Sequence, residues 1–227
     1  MTDKTVIILC GGKGLRLRPL TIDMPKPLVK ILDKPILEYI INHFIKYKYK
    51  RFIIATGYKS EKIEQFMLSR FKSLDYTIIN SGDVGIIDRI KDCKEYIKDG
   101  CILCYGDTLA NINIDQLIEF HNNSPDYLTI SGYPIKIPFG VMNLDTNMNV
   151  LNFMEKPILN EVMNIGFFYI SKKIFPQLIH FESFEEMLNS LSKNNKLRCY
   201  LHDGIHITVN TIAELQSANE NIKKLYI

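Results

Sequence analysis

Three glycines lie within four positions near the start of the sequence, in a stretch that is also rich in basic residues. Gly11, Gly12 and Gly14 leave backbone N–H groups uncovered by side chains, so the phosphates of a ligand can come within hydrogen-bonding distance of the main chain. Positive charge is concentrated in the same stretch, at Lys13, Arg16, Arg18 and Lys26. This combination predicts a binding site for a polyanion that carries phosphate groups.

The glycine pattern differs from both common phosphate-binding motifs. A P-loop has four residues between its glycines and a Lys-Ser or Lys-Thr after the second, and neither Gly11 nor Gly12 has that context. The dinucleotide-binding motif Gly-x-Gly-x-x-Gly matches at Gly12 and Gly14, but Leu17 stands where its third glycine is required. Both motifs are therefore excluded.

Buried strands and amphipathic helices are predicted around the glycines. The apolar run over residues 6–10 is rich in β-branched residues and does not alternate, which favours a strand buried on both faces of a parallel sheet. Next we predict a helix over residues 35–46, a strand over 52–55, a helix over 61–71 and a strand over 76–80. This alternation is typical of a doubly wound α/β sheet, in which ligands bind at the carboxyl ends of the strands.

A carboxylate, Asp107, lies near the end of a further buried strand, predicted over residues 101–108. An oxygen ligand at the carboxyl edge of the sheet is what Mg²⁺ binds beside substrate phosphates. On these residues alone, an Asp that merely starts a turn explains the pattern equally well. The other predicted elements are helices over residues 84–98, 113–121 and 212–225, a strand over 127–133, and a hairpin over 139–150 with its turn at 145–147.

Two blocks resemble the opening signature of the nucleotidyltransferases that make sugar nucleotides from nucleoside triphosphates. They are Leu-Cys-Gly-Gly-Lys-Gly-Leu-Arg-Leu-Arg-Pro-Leu-Thr over residues 9–21 and Pro-Lys-Pro-Leu over residues 25–28. The resemblance implies an α/β fold with a Rossmann-like, doubly wound, mostly parallel mixed sheet of the nucleotide-diphospho-sugar transferase type, as a single domain over residues 1–227. It also implies an in-line reaction, in which an acceptor phosphate attacks the α-phosphorus and pyrophosphate leaves.

The resemblance assigns roles to individual residues. Arg16 is expected to act on the leaving pyrophosphate and Lys26 near the α-phosphate, and Asp107 matches the aspartate that binds Mg²⁺. Asn210 aligns with the family's second metal-binding Asp and removes one negative charge, which leaves either a modified metal shell or a domain without catalysis. Nucleotide binding is assigned to Leu9, Gly11, Gly12, Gly14 and Gly106.

A turn after the predicted strand over residues 76–80 bears on the choice of nucleotide. Ser81, Gly82 and Asp83, followed by Arg89, resemble the base-binding turn of the cytidylyltransferase branch, which activates glucose 1-phosphate with CTP. The resemblance therefore favours CTP, while the branches for thymidylyl, uridylyl and guanylyl transfer share the opening signature and stay open as alternatives. The loop over residues 84–88 departs from that branch, whose loop is richer in glycine and slightly longer.

Two later segments resemble the acceptor side of the same enzymes. Glu155 and Lys156 stand in a Glu-Lys-Pro sequence, and Asn164 and Gly166 follow shortly after it. A Lys beside a stiff turn can hold a second phosphate, and a Glu can accept hydrogen bonds from polar substrate groups. The alternative for Glu155 and Lys156 is an exposed ion pair of little energetic value.

The acceptor itself is inferred from the family's range of substrates. Short members of this family also act on phosphates that are not sugars, including phosphocholine and the phosphorylated glutamine of bacterial capsule phosphoramidate synthesis. The short chain, the CTP-like turn and the altered loops favour phosphorylated glutamine, and with it a role in capsule biosynthesis. A sugar 1-phosphate is the alternative acceptor.

Composition limits the partners and the compartment. The 227 residues carry a net charge of +3 with the basic residues spread along the chain, which argues against a nucleic-acid surface. The absence of an 18-residue apolar run and of a secretory signal argues against a membrane partner and favours the cytoplasm. The number of cysteines is odd, at five, which favours reduced thiols. A homodimer is possible.

Two other function classes stay open beside the enzyme. Asn210 is compatible with a regulatory domain that binds the nucleotide without turnover. The basic and aromatic stretch over residues 46–51 could form a nucleic-acid patch, although we favour the cationic end of the preceding helix followed by a turn.

Overall fold

The chain alternates strands and helices, in a computed structural model that describes residues 4–123 and 127–225. The strands are β1 (Thr5–Cys10), β2 (Lys30–Ile31), β3 (Lys34–Pro35), β4 (Arg51–Thr56), β5 (Asp75–Asn80), β6 (Gly100–Tyr105), β7 (Thr108–Ala110), β8 (Leu128–Lys136), β9 (Val141–Leu144), β10 (Val150–Met154), β11 (Ile158–Ser171), β12 (Leu197–Leu201) and β13 (His206–Thr208). The helices are α1 (Ile36–Lys46), α2 (Ser60–Arg70), α3 (Ile86–Cys93), α4 (Ile114–Asn122), α5 (Phe184–Lys193) and α6 (Ile212–Leu225), with short 3₁₀ helices between them.

Seven strands form one mixed sheet in the order β12-β8-β11-β6-β1-β4-β5. Neighbouring strands from β6 to β5 are parallel, as are β8 and β12, whereas β11 runs antiparallel to both β6 and β8. The predicted mostly parallel mixed sheet in a single α/β domain is confirmed. The bounds of that domain, residues 1–227, stay a prediction, because residues 1–3, 124–126 and 226–227 lie outside the described part.

The sheet is covered on both faces, which explains the unbroken apolar run of β1. Val6 and Ile8 point into one core cluster and Ile7 into the other, and none of the three is accessible to water. Helices α1, α2, α4 and α6 contribute buried residues to the first cluster, and α3 and α5 to the second. Burial on both faces removes the need for alternation in the strand.

Two predicted elements were too long. The helix predicted over residues 84–98 is α3 followed by a 3₁₀ turn, because Gly85 is its N-cap and Ile97 is extended and buried on the way into β6. The strand predicted over residues 101–108 ends at Tyr105, where the N–H of Gly106 donates to the carbonyl of Leu9 and the chain turns. That turn places Asp107 between two strands rather than within one.

Other local predictions are confirmed. The hairpin forms from β9 and β10, and the Asp145 carboxylate accepts the N–H groups of Asn147 and Asn149 at its turn. The basic stretch over residues 46–51 is the end of α1 and a turn, with Tyr49 buried against Phe44 rather than exposed for stacking on bases. Within residues 4–123 and 127–225, no helix combines the length and apolar character that crossing a membrane requires.

The five cysteines are all free thiols in the described chain. Four of them are buried in the core, at Cys10, Cys93, Cys101 and Cys104, whereas Cys199 is exposed. Burial raises the pKa of the Cys93 thiol to about 12, so that thiol stays protonated at neutral pH. The predicted reduced thiols are therefore consistent with the packing.

Candidate active site

A cleft of about 700 Å³ opens at the carboxyl ends of β1 and β6, where the glycine loop and the Asp107 turn meet. Both segments reach the same edge of the sheet because β1 and β6 are neighbouring parallel strands. The predicted site residues that line the cleft are Leu9, Gly11, Gly12, Gly14, Arg16, Lys26, Asp83, Arg89, Gly106, Asp107 and Asn210. Residues from five separate parts of the sequence thus share one cavity.

Each glycine of the loop meets a different requirement. A side chain on Gly11 would collide with the guanidinium group of Arg89, whereas a side chain on Gly12 would meet only open space. Gly14 has a φ of 61°, and its carbonyl accepts a hydrogen bond from the Thr21 hydroxyl at 2.8 Å. The backbone at Gly12 is thus the part of the loop that a phosphate can approach closely.

Arg89 ties three loops of the cleft together. Its guanidinium group is almost fully buried and donates to the carbonyls of Thr56, Gly11 (3.3 Å), Gly82 (2.7 Å) and Val84 (3.2 Å). Burial lowers the pKa of Arg89, with nearby acidic groups opposing that effect, yet the group remains charged. Direct contact of Arg89 with a nucleotide base stays a prediction, beside this structural role.

The turn after β5 closes one side of the cleft. The Lys13 ammonium contacts the Asp83 carboxylate at 2.5 Å, and this hydrogen bond lowers the pKa of Asp83. Gly82 has a φ of 71°, and the Ser81 hydroxyl is buried with no hydrogen-bond partner among the described residues. Ser81 and Gly82 do not line the cavity, so their predicted contact with the base also stays a prediction.

Four polar side chains converge where the glycine loop faces the Asp107 turn. The Lys26 ammonium donates to Asp107 Oδ2 at 2.5 Å and to Asn210 Oδ1 at 2.8 Å. Arg16 donates to the same Asn210 oxygen at 3.0 Å. Lys26 itself is mostly buried and lies in the 3₁₀ turn of residues 26–28, whose Leu28 belongs to the core.

This cluster fits a small divalent cation that also binds substrate phosphates. The Asp107 and Asn210 oxygens already enclose one positive charge, the Lys26 ammonium, which acts here as a stand-in for a cation. The described residues contain no group of three or more His, Cys, Asp or Glu side chains that could hold a metal alone. Mg²⁺ suits such a site, because it keeps several waters and takes one or two protein oxygens beside phosphates.

Asn210 is held from behind by Glu214, a residue that sequence reasoning missed. Its backbone N–H donates to Glu214 Oε2 at 2.7 Å, and the Thr208 hydroxyl donates to the same oxygen at 3.0 Å. Burial of Glu214 raises its pKa, because it opposes the charged form. The two hydrogen bonds, a third from the Asn210 side chain and the nearby charge of Lys26 outweigh burial, so the pKa of Glu214 is lowered. The spacing from Thr211 to Glu214 is that of a helix capping box, which was the available signal.

The predicted acceptor residues lie at two places. Asn164 accepts the Gly166 N–H at 2.8 Å and donates to the Tyr105 hydroxyl at 3.5 Å, and a side chain on Gly166 would collide with the Tyr105 ring. Tyr105 lines the cleft, so Asn164 and Gly166 adjoin the cleft through the Tyr105 ring. Sequence reasoning also missed Tyr105. Glu155 and Lys156 are exposed in the turn between β10 and β11 and do not line the cavity.

Comparison with known proteins agrees with this geometry. The protein-family model described as nucleotidyl transferase matches residues 5–211, which contain every residue of the cleft. The chain belongs to the nucleotidyl transferase family. This is a family of enzymes, so the prediction of a nucleotidyltransferase is confirmed.

Individual relatives of this nucleotidyltransferase cover almost its whole length. A Bacillus subtilis protein named probable glucose-1-phosphate cytidylyltransferase is 34% identical over 242 residues, which cover 94% of this chain and 94% of that protein. A Campylobacter jejuni D-glycero-alpha-D-manno-heptose 1-phosphate guanylyltransferase is 31% identical over 207 residues, covering 89% and 93%. A solved structure of a putative glucose-1-phosphate thymidylyltransferase from Bacillus anthracis has a TM-score of 0.79 at 20% identity, covering 99% and 97%, and supports the fold alone.

Proposed function

We propose that this nucleotidyltransferase moves CMP from CTP to the phosphate of a small acceptor and releases pyrophosphate. The observation that carries the proposal is the cluster in which Lys26 and Arg16 face the oxygens of Asp107 and Asn210 beside the open backbone of Gly12. Cations and uncovered N–H groups suit the phosphates, and the two oxygens suit a phosphate-bound metal.

The residues of the chain would act by position and charge. The glycine loop donates N–H groups to the triphosphate, Arg16 neutralises the leaving pyrophosphate, and Lys26 neutralises charge at the α-phosphate during in-line attack. Asp107 and Asn210 would hold Mg²⁺, which when bound neutralises phosphate charge in the transition state. In the structure the Lys26 ammonium contacts both of these oxygens, so it is already within reach of the groups that a metal would use.

CTP is the nucleotide that we propose. The Bacillus subtilis relative, named as a cytidylyltransferase, supports it, and so does the resemblance of the turn over residues 81–83. The Campylobacter jejuni relative, named as a guanylyltransferase, makes GTP the competing nucleotide. Which of the two the cleft accepts depends on how the loops tied by Arg89 meet the base.

A sugar 1-phosphate is the acceptor that the comparisons favour. Both relatives reported above are named for sugar 1-phosphate substrates, whereas no comparison supports phosphorylated glutamine. Phosphorylated glutamine and a role in capsule biosynthesis therefore stay predictions, as does a cytoplasmic location. The acceptor is expected beside Tyr105, because Asn164 and Gly166 adjoin the cleft there.

A nucleotide-binding domain without turnover is the competing function. This alternative was suggested by Asn210, which replaces an Asp. In the structure, however, the Asn210 oxygen and the Asp107 carboxylate both accept a hydrogen bond from the Lys26 ammonium. That arrangement supports retained catalysis, since an amide oxygen is an acceptable ligand for Mg²⁺.

The decisive experiment measures pyrophosphate release in Mg²⁺ with CTP, GTP, UTP and dTTP, each crossed with glucose 1-phosphate, a heptose 1-phosphate, phosphocholine and phosphorylated glutamine. We expect release with CTP and a sugar 1-phosphate, and none when EDTA removes the metal. Release with GTP alone would overturn the choice of nucleotide. CTP binding without release in any combination would favour the regulatory domain.

A further inference from the structure

A hydrogen-bond network that the predicted catalytic residues do not include joins Asn210 to Glu214 at the start of α6. We infer that Glu214 is a positioning residue that holds the side-chain amide of Asn210 in one orientation, with its oxygen toward Lys26, Arg16 and the proposed metal. This inference deepens the proposed function and rests on it. The carboxylate of Glu214, behind the amide, compensates for the negative charge that Asn210 lacks.

The front of the Asn210 amide is defined by two donors. Lys26 Nζ lies 2.8 Å from Asn210 Oδ1 and an Arg16 nitrogen lies 3.0 Å from it. Ammonium and guanidinium groups donate hydrogen bonds but cannot accept them, so only the amide oxygen can face this side. The opposite orientation would turn the amide NH₂ toward two cations.

The back of the amide is defined by an acceptor. Glu214 Oε2 accepts the backbone N–H of Asn210 at 2.7 Å and the Thr208 hydroxyl at 3.0 Å, and these two bonds fix the carboxylate behind Asn210. The Asn210 side chain also makes a hydrogen bond to this carboxylate. A carboxylate only accepts hydrogen bonds, so the amide NH₂ is the group that suits this side. The Glu214 N–H in turn donates to the Thr211 hydroxyl at 3.2 Å, at the start of α6.

The support from Glu214 should matter more beside Asn than beside Asp. With Asn at position 210, the negative charge of Glu214 polarises the amide and strengthens its oxygen as an acceptor. With Asp at position 210, the side chain supplies its own negative charge and has no NH₂ group to orient. Glu214 should therefore help metal binding strongly in the natural chain and much less in Asn210→Asp.

The test compares metal affinity in four forms of the full chain, using Mn²⁺ followed by electron paramagnetic resonance in the presence of CTP. The forms are the natural chain, Glu214→Gln, Asn210→Asp and the double variant. We expect Glu214→Gln to weaken Mn²⁺ binding about 10–100-fold, as loss of a partner behind a ligand does. In the Asn210→Asp background the same change should weaken binding much less.

A matched control and a rescue separate positioning from folding. Glu220→Gln changes an exposed Glu of the same helix and should leave Mn²⁺ affinity unchanged. Glu214→Asp, which keeps the charge, should recover part of the affinity. An equal loss in both backgrounds, or no loss in Glu214→Gln, would overturn the inference and leave only a helix cap. If the loss differs between the two backgrounds as expected but the natural chain releases no pyrophosphate, the proposed function is refuted instead.

A different observation concerns the β9–β10 hairpin. Every residue of β10 is exposed, although most of them are apolar. Pairing places Met142 opposite Phe153 and Leu144 opposite Val150, so these four apolar residues lie on the same face. They are between 44% and 58% exposed, and none of them is charged.

We also infer that this hairpin face is the contact between two copies of this chain. Phe139 and Leu151 are exposed on the same hairpin or next to it, and together the six apolar residues present on the order of 600 Å², taking roughly 200 Å² as the full area of a Phe and less for Met, Leu and Val. That approaches the ~800 Å² that each partner buries in a standard interface. An uncharged face is complementary to itself across a two-fold axis and needs no oppositely charged partner.

Sedimentation equilibrium of the full chain between about 1 and 100 μM tests this contact. We expect a dimer that becomes a monomer in Phe153→Asp and in Leu151→Ser, with circular dichroism unchanged. Leu68→Asp, at an apolar residue of α2 that is 62% exposed, should leave the dimer intact. The inference would be overturned if the natural chain stays monomeric or if the dimer persists in both hairpin variants. A monomeric natural chain would mean that the hairpin face contacts another partner.

Discussion

Replacing Arg89 by Met removes the guanidinium group that joins the loops of the cleft and keeps a side chain of similar reach. In the structure this group is 5% exposed and donates to the carbonyls of Gly11, Thr56, Gly82 and Val84. Gly11 belongs to the predicted phosphate-binding loop, Gly82 lies in the predicted base-binding turn, and Val84 follows that turn. The substitution should therefore reduce both the stability of the fold and the affinity for the nucleotide.

The size of the stability loss follows from which carbonyls keep another donor. Thr56 also accepts the N–H of Ser81, and Gly11 also accepts the N–H of Tyr58, both at 3.2 Å. The other two carbonyls lose a charged donor, which costs about 1–3 kcal/mol for each group left buried without a partner. Because Gly82 and Val84 lie on the exposed side of the loop, water can reach them, and we expect a total near 2–3 kcal/mol.

Urea unfolding and calorimetric CTP titration of Arg89→Met measure the two effects. Arg18→Met, at an exposed Arg of the glycine-loop region outside the cleft lining, is the matched control and should stay within about 0.5 kcal/mol of the natural chain. Natural stability combined with lost CTP binding would refute the reasoning. That result would mean that Arg89 acts by touching the base, as the sequence predicted.

Arg16→Ala should lower kcat/KM about 10²–10³-fold, because Arg16 is proposed to act on developing phosphate charge. The urea midpoint should not change, because Arg16 is exposed. Arg18→Ala is the control, and equal effects of the two variants would remove Arg16 from the mechanism. Asp107→Asn should abolish Mg²⁺-dependent pyrophosphate release, and unchanged turnover would displace the metal site. Burial lowers the pKa of His43 to about 4, so its neutral form stabilises the fold fully above pH 6.5. That contribution should fall by up to about 1.4 kcal/mol per pH unit toward pH 4, and His43→Gln should flatten the decline.

The fold and the phosphate side of the cleft could be predicted from the sequence because their signals are local. The run over residues 6–10 with the three glycines after it is one local pattern, and the apolar run that leads to the turn at Asp107 is another. Neighbouring parallel strands then bring such segments to one edge of a sheet. The predicted lengths of the helix over residues 84–98 and the strand over 101–108 failed because burial of Ile97 and the Gly106 contact with Leu9 ended those elements.

The sequence by itself determined that the glycines, cations and a carboxylate would meet at the carboxyl edge of a doubly wound sheet. Only the tertiary structure decided what each group contacts. Arg16 and Asn210 are 194 residues apart, yet they share a hydrogen bond. The tie that Arg89 makes between loops and the support that Glu214 gives to Asn210 likewise depend on where separate segments pack. A residue pattern reports local propensity and burial, whereas a hydrogen bond between distant segments exists only once packing has brought its donor and acceptor together.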